Sequence, residues 1–188
     1  LSFDFNEAEW CMAMDTISEG VFLHFQEGSV PVSADHPRAE YWLRRYEEEN
    51  DTSLHPQHVW WHTLSHLLIK HISLDSGFSS ASIRERTYAI EGSDGSIAGG
   101  VLLFPSQQGG DGTLGGLSSL AKNQAAFSGI IDKCRSEVMT CSNDPLCEES
   151  SDISLGGAAC FACCLTSETS CEHRNKSLDR LLLRESMP

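Results

Sequence analysis

The chain has 188 residues, 40 % of them hydrophobic, enough for one domain or a domain with an appended subdomain built round a real core. Its 13 Lys and Arg stand against 27 Asp and Glu, a net charge of −14. A surface of that sign repels phosphate, which argues against autonomous nucleic-acid binding and favours a basic partner that itself holds the nucleic acid.

The acids crowd the start: residues 1–60 carry 12 acids and 3 bases. Leu1, standing where a start Met would, points to a longer natural protein. Leu1–Trp10 lacks the basic and apolar regions of a secretory signal, and no stretch approaches the roughly 18 apolar residues that cross a bilayer. Eight cysteines without a leader then point to metal in a reducing compartment, hence to the cytosol.

In chain order, Gly20–Phe25 has strand composition. Residues 37–50 predict a helix opened by Pro37, with the acids at 47–49 closing it into solvent. Pro56–Ser73 predicts the strongest helix. Trp60, Leu64, Leu67, Leu68 and Ile72 form a broad apolar arc, and Val59, Trp61 and Ile69 widen it until the helix is apolar nearly all round. It should be the buried central helix, with His62, His66 and Lys70 recurring every four residues on its more polar side. Gly77–Arg86 reads as a turn into a short helix with a Ser N-cap, and Arg84, Glu85 and Arg86 as a structural ion-pair cluster. Thr87–Glu91 and Ile97–Phe104 predict a β-hairpin turning through Gly92, Asp94 and Gly95. The glycine-rich run Gly109–Gly116 reads as a flexible loop feeding a helix over residues 117–138, and the absence of a nearby base makes phosphate binding there the weaker reading.

The cysteines carry the chemistry. CSNDPLC (141–147), ACFACC (159–164) and TSCE (169–172) put Cys141, Cys147, Cys160, Cys163 and Cys171 within 31 positions. In the Cys160-x-x-Cys163 pair, two intervening residues let both thiolates face one ion, and zinc in a structural role takes four such ligands in a closed tetrahedron. The spacing nominates Cys147, Cys160, Cys163 and Cys171 as the Zn2+ ligands, with Cys141 in reserve. Cys164 should point away, and Cys11 and Cys134 should be buried apolar fillers.

Four stretches then resemble a known family, the MrfA zinc-binding domain: HTLSHLLI at 62–69, GFSSASIRERTY at 77–88, GGVLLF with GTLGGL at 99–117, and CSNDPLC through NKSLDR at 141–180. That domain ends a group of DNA-repair helicases and occurs in the B component (DrmB) of the DISARM anti-phage system. The acidic N-terminal part, with GVFLHF, looks most like the DISARM member. Cys171, Asn175 and Leu178-Asp179-Arg180 follow the helicases' pattern of a last Cys, an Asn and Leu-Asp-basic. The longer gap from Cys147 to Cys160 and the extra thiol of Cys164 depart from it.

There is no G-x-x-x-x-G-K-[ST] phosphate loop and no Asp-Glu pair for a magnesium site, so this stretch is not the motor. His62 and His66 have the spacing of a zincin pair but lack the adjacent Glu base, and a pair pinning the helix is the better reading. The expectation is an α+β fold: a small, largely antiparallel sheet packed by the central helix, and a C-terminal helical zinc subdomain. Residues 1–56 would form an acidic segment, 57–140 the α/β core and 141–188 the zinc subdomain. The resemblance implies a non-catalytic, zinc-binding, helicase-associated module that positions a partner helicase in a defence or repair complex. The alternative is a metal-dependent hydrolase or nuclease using His62 and His66. For nucleic acid the only plausible contact is a stripe of Lys176, Arg180 and Arg184, four apart on a helix, acting within a complex.

Overall fold

A computed structural model describes residues 2–5, 8–11, 17–25, 31–33, 35–77, 79–91, 97–106, 115–149 and 157–187. The hairpin turn at 92–96 and most of the glycine-rich loop, residues 109–114, lie outside them. The described elements form an α+β fold. Strands β1 (Ser2–Phe5) and β2 (Ala8–Cys11) pair as a separate antiparallel hairpin. Strands β3 (Val21–His24), β4 (Ile83–Glu91) and β5 (Ile97–Pro105) make an antiparallel sheet in the order β3-β5-β4.

Helix α1 (Pro37–Glu49) starts where His36 accepts the Arg38 N–H and ends at Asn50 in the left-handed conformation, so the expected boundaries at Pro37 and Asn50 are found. Helix α2 (Pro56–Ser76) starts in the same way: His55 Nδ1 accepts the Gln57 N–H and Pro56 fills the first turn. Gly77 ends it at φ +74°, a conformation that favours residues without a Cβ. Every residue from Pro56 to Ile69 is buried, so α2 is the central helix its composition predicts. One side lies on β4 and β5, where Trp61 occupies the space a Cβ on Gly99 would need, 2.5 Å from its indole. Helices α4 (Gln124–Met139) and α6 (Arg180–Ser186) also pack against α2.

The central helix runs to Ser76, three residues past its expected end at Ser73, and two further elements differ from the sequence reading. Residues 83–86 are strand rather than helix. Ser79 caps only a single 3-10 turn (Ser80–Ser82), after which Ile83, Glu85 and Thr87 point inward and Arg84 and Arg86 outward, the alternation of a half-buried strand. The helix expected over 117–138 is two: α3 (Gly116–Lys122) and α4 (Gln124–Met139), broken at Asn123, whose side chain caps the second by accepting the Ala126 N–H. Glu19, just before β3, accepts the Leu117 and Ser118 N–H groups at the start of α3. Cys134 is wholly buried on α4, as an apolar filler should be.

The C-terminal part is built mostly of turns, with short helices α5 (Leu146–Glu149) and α6 (Arg180–Ser186). Asp179 fastens α6 to the rest. Its carboxylate accepts the Leu182 N–H at 2.9 Å, the Trp42 Nε1–H at 2.8 Å and the Arg38 Nε–H at 2.9 Å, while its own N–H donates to Thr63 Oγ1 at 2.9 Å. One buried acid thus ties α1, α2 and α6 together.

Candidate metal centre

Residues 141–147 turn back on themselves, the Asp144 N–H donating to the Cys141 carbonyl and the Cys147 N–H to that of Asn143, so Cys141 and Cys147 face the same point. Residues 157–164 form a second knuckle. Gly157, at φ +37°, sits so close to α6 that a Cβ there would lie 2.3 Å from Asp179 Cγ. The Cys163 and Cys164 N–H groups both donate to the Cys160 carbonyl.

Arg180 holds the two knuckles together. It is fully buried, donating through Nη2 to Asp144 at 2.7 Å, through Nε to the Ala158 carbonyl at 3.2 Å and through Nη1 to the Val138 carbonyl. The other Asp144 oxygen accepts the Cys141 N–H at 2.7 Å.

The outcome is a cluster of four sulfurs. Cys141 and Cys160 Sγ are 3.5 Å apart, Cys160 and Cys163 Sγ 3.7 Å, and Cys147 and Cys163 Sγ 3.8 Å, with all four within 4.8 Å of one another. Four sulfurs at about 2.3 Å from a tetrahedral ion are about 3.8 Å from each other, so this donor set has the size of a zinc tetrathiolate. These separations are also far beyond the roughly 2.05 Å of a disulfide. Backbone amides aim at the sulfurs, Cys160 N–H at Cys163 and Asn143 N–H at Cys141, the polarisation a bound thiolate needs. The Cys164 thiol beside it draws Cys163 down to about 5. Burial pushes Cys147 upward. Metal binding there releases protons.

Of the four nominated ligands, the structure brings Cys147, Cys160 and Cys163 together and places Cys171 elsewhere. The fourth position in the cluster belongs to Cys141, the reserve. The reason is the anchoring of the loop before α6: Ser170 accepts the Glu85 N–H at 3.1 Å through its carbonyl and donates its hydroxyl to the Ser80 carbonyl at 2.8 Å. Those bonds pull Cys171 to the sheet side of α2, where its Sγ lies 3.2 Å from His62 Nε2. Cys164 is buried, and its carbonyl lies 2.7 Å from His66 Nδ1. The side chain of Cys11 lies outside the described residues.

The Nδ1 atoms of His62 and His66 lie 3.2 and 2.7 Å from the Ser177 and Cys164 carbonyls, and the pair also gathers a carboxylate expected in an ion-pair cluster. Glu85 Oε1 lies 3.2 Å from His62 Nε2 and 3.8 Å from His66 Nε2, and with Cys171 these residues form a second buried group of potential ligands. Burial drives His62 itself toward the neutral form. The alternation Ile83-Glu85-Thr87 was the signal for Glu85, hidden by reading those residues as a helix. Its flanking arginines face outward, where Arg86 comes only within 3.9 Å of Glu172.

The expected basic stripe does not form. Lys176 precedes α6, Arg180 is fully buried under the cysteine knuckles, and Arg184 is paired to Glu148 at 2.9 Å. No helix among the described residues is long and apolar enough to cross a membrane.

Residues 64–164 match the family model of the MrfA Zn-binding domain, and all four clustered cysteines fall inside that span while Cys171 falls outside it. The chain is also similar to the DISARM protein DrmB of Bacillus paralicheniformis (strain ATCC 9945a / NCIMB 11709 / CD-2), 36 % identical over 198 residues. The alignment covers 93 % of this chain and 33 % of that protein, so the chain spans about a third of that relative's length. With more than half of its residues matched and the four thiols gathered at one point, the chain belongs to the MrfA zinc-binding domain family.

Proposed function

We propose that this chain is a zinc-stapled, non-catalytic module of a DISARM-type anti-phage defence or DNA-repair complex, and that it binds and positions a partner helicase in the cytosol. The observation that carries the reading is similarity to a DISARM protein along nearly the whole chain, joined to a closed four-cysteine cluster. Cys141, Cys147, Cys160 and Cys163 are the proposed Zn2+ ligands. Zinc held by four protein thiolates keeps no open position for water or substrate, which is the arrangement of a folding element. Here it would staple the 141–147 and 157–164 knuckles against Arg180 and α6. Within this reading residues 57–140 are the α/β core, 141–188 the zinc lobe, and 1–56 an acidic segment.

The net charge of −14 supports a basic partner that supplies the positive field for nucleic acid. The test is affinity purification of the full-length protein from its own host, followed by identification of co-eluting proteins at rising salt. A helicase encoded beside it should co-elute in stoichiometric amount and dissociate as salt rises. Elution of the protein alone at low salt, with the helicase present in the lysate, would overturn the reading.

A further inference from the structure

Nothing in the function above uses the second buried cluster. We propose that His62, His66, Glu85 and Cys171 hold a second zinc ion, distinct from the four-cysteine centre, which locks the loop before α6 onto the sheet and the central helix.

The four residues come from three separate segments, two from α2, one from β4 and one from the loop, and one ligand atom from each lies within 4.8 Å of the others. The measured edges are 3.2 Å from His62 Nε2 to Cys171 Sγ, 3.2 Å from His62 Nε2 to Glu85 Oε1, and 3.8 Å from His66 Nε2 to Glu85 Oε1. A tetrahedral zinc with bonds of about 2.0 to 2.3 Å gives edges of about 3.3 to 3.8 Å.

The outer atoms of each donor are already engaged, and this fixes what faces inward. His66 Nδ1 is 2.7 Å from the Cys164 carbonyl and His62 Nδ1 is 3.2 Å from the Ser177 carbonyl. A carbonyl only accepts, so both imidazoles carry their proton on Nδ1 and present bare Nε2 lone pairs to the centre. Glu85 Oε2 takes the hydroxyl protons of Ser65 at 2.6 Å and Thr87 at 2.9 Å, leaving Oε1 turned inward. Cys171 Sγ accepts the Asn175 N–H at 3.2 Å. The centre is therefore made of acceptors. His66 Nε2 and Glu85 Oε1 are buried and make no hydrogen bond.

Acceptors facing one another without water are costly, and protons answer them poorly here. The Cys171 thiol could satisfy His62 Nε2, but His66 Nε2 itself lies 3.8 Å from Glu85 Oε1, too far for a hydrogen bond even with a proton on that nitrogen. One divalent cation satisfies all four. With one carboxylate and one thiolate the occupied centre is neutral, the state that buries at least cost. Two imidazoles, an oxygen and a sulfur suit zinc better than magnesium or calcium. None of the four residues is more than 4 % exposed, and all four ligands are protein. The centre is closed and structural, which removes His62 and His66 from any hydrolytic role.

The two centres also touch through one backbone step, since the carbonyl that orients His66 belongs to Cys164, next to the ligand Cys163.

The test is metal stoichiometry of the full chain, saturated with zinc and passed over a desalting column. Wild type should carry two zinc ions per chain; His66→Gln and Cys171→Ser should each carry one, and Cys160→Ser should lose the other. Because these variants can misfold, wild type is also titrated with cobalt. Two equivalents should bind, one with the intense charge-transfer spectrum of four thiolates and one with the weak spectrum of a single thiolate and nitrogen ligands. Saturation at one equivalent with the four-thiolate spectrum, or two zinc ions retained in both His66→Gln and Cys171→Ser, overturns the proposal. Either result leaves the four-cysteine centre and the helicase reading standing.

Discussion

Replacing Asp179 by Ala should destabilise the protein by about 3 to 5 kcal/mol, and the figure can be assembled from its partners. Loss of the cap on α6, where Asp179 accepts the Leu182 N–H, costs about 1 kcal/mol. The buried Trp42 indole N–H loses its acceptor, which costs about 1 to 3 kcal/mol. Arg38, whose side chain is mostly buried, loses its carboxylate and adds about 1 kcal/mol. Asp179→Asn keeps an oxygen for the cap or the indole and should cost about half as much. Urea unfolding at fixed free zinc reads both variants, since ligand concentration moves apparent stability by itself. In a thermal scan the Ala variant should melt about 10 °C below wild type. Because Arg180 follows directly and clamps both cysteine knuckles, zinc retention should weaken in the same variant. An Asp179→Ala protein within about 1 kcal/mol of wild type would refute the claim that this acid ties α1, α2 and α6 together.

Ser in place of Cys160 or Cys163 should remove the tetrathiolate zinc and make the C-terminal region protease-sensitive; a double variant with unchanged melting temperature and digestion pattern would contradict this. His55, lowered to about 4 by burial, binds fewer protons folded than unfolded between about pH 6.5 and 4. Stability contributed by its neutral form should therefore fall as pH drops through that window, and His55→Asn, which keeps an acceptor for the Gln57 N–H, should flatten the slope in urea melts at pH 7 and 5. The isolated chain should bind DNA weakly or undetectably at physiological salt, with little change in a Lys176→Ala variant; submicromolar binding in a titration would show a phosphate-contacting surface elsewhere on the chain.

The central helix was legible because its signals are local: Pro56 at one end, a turn at Gly77 soon after the other, and apolar residues on nearly every side between. The zinc chemistry was legible from Cys160-x-x-Cys163, whose spacing alone lets two sulfurs face one ion. Which further cysteines join them was not. Cys141 and Cys171 are nearly equal candidates along the chain, and the choice between them depends on Ser170 bonding to Ser80 and Glu85, residues about 85 to 90 positions away. The fate of Arg180 was equally hidden. In sequence it is one of three bases four apart; in the fold the Asp179 cap starts the helix just before it and turns its guanidinium into the cysteine knuckles. Glu85 shows the same limit: its alternation with Ile83 and Thr87 marks a shared face, but only the packing of α2 puts that face inside. Sequence determined most of the helical and extended segments and that cysteines are the metal-binding residue type, because propensity and spacing act over a few residues. Tertiary structure decided which donors meet, because that depends on bonds between segments that the chain order keeps far apart.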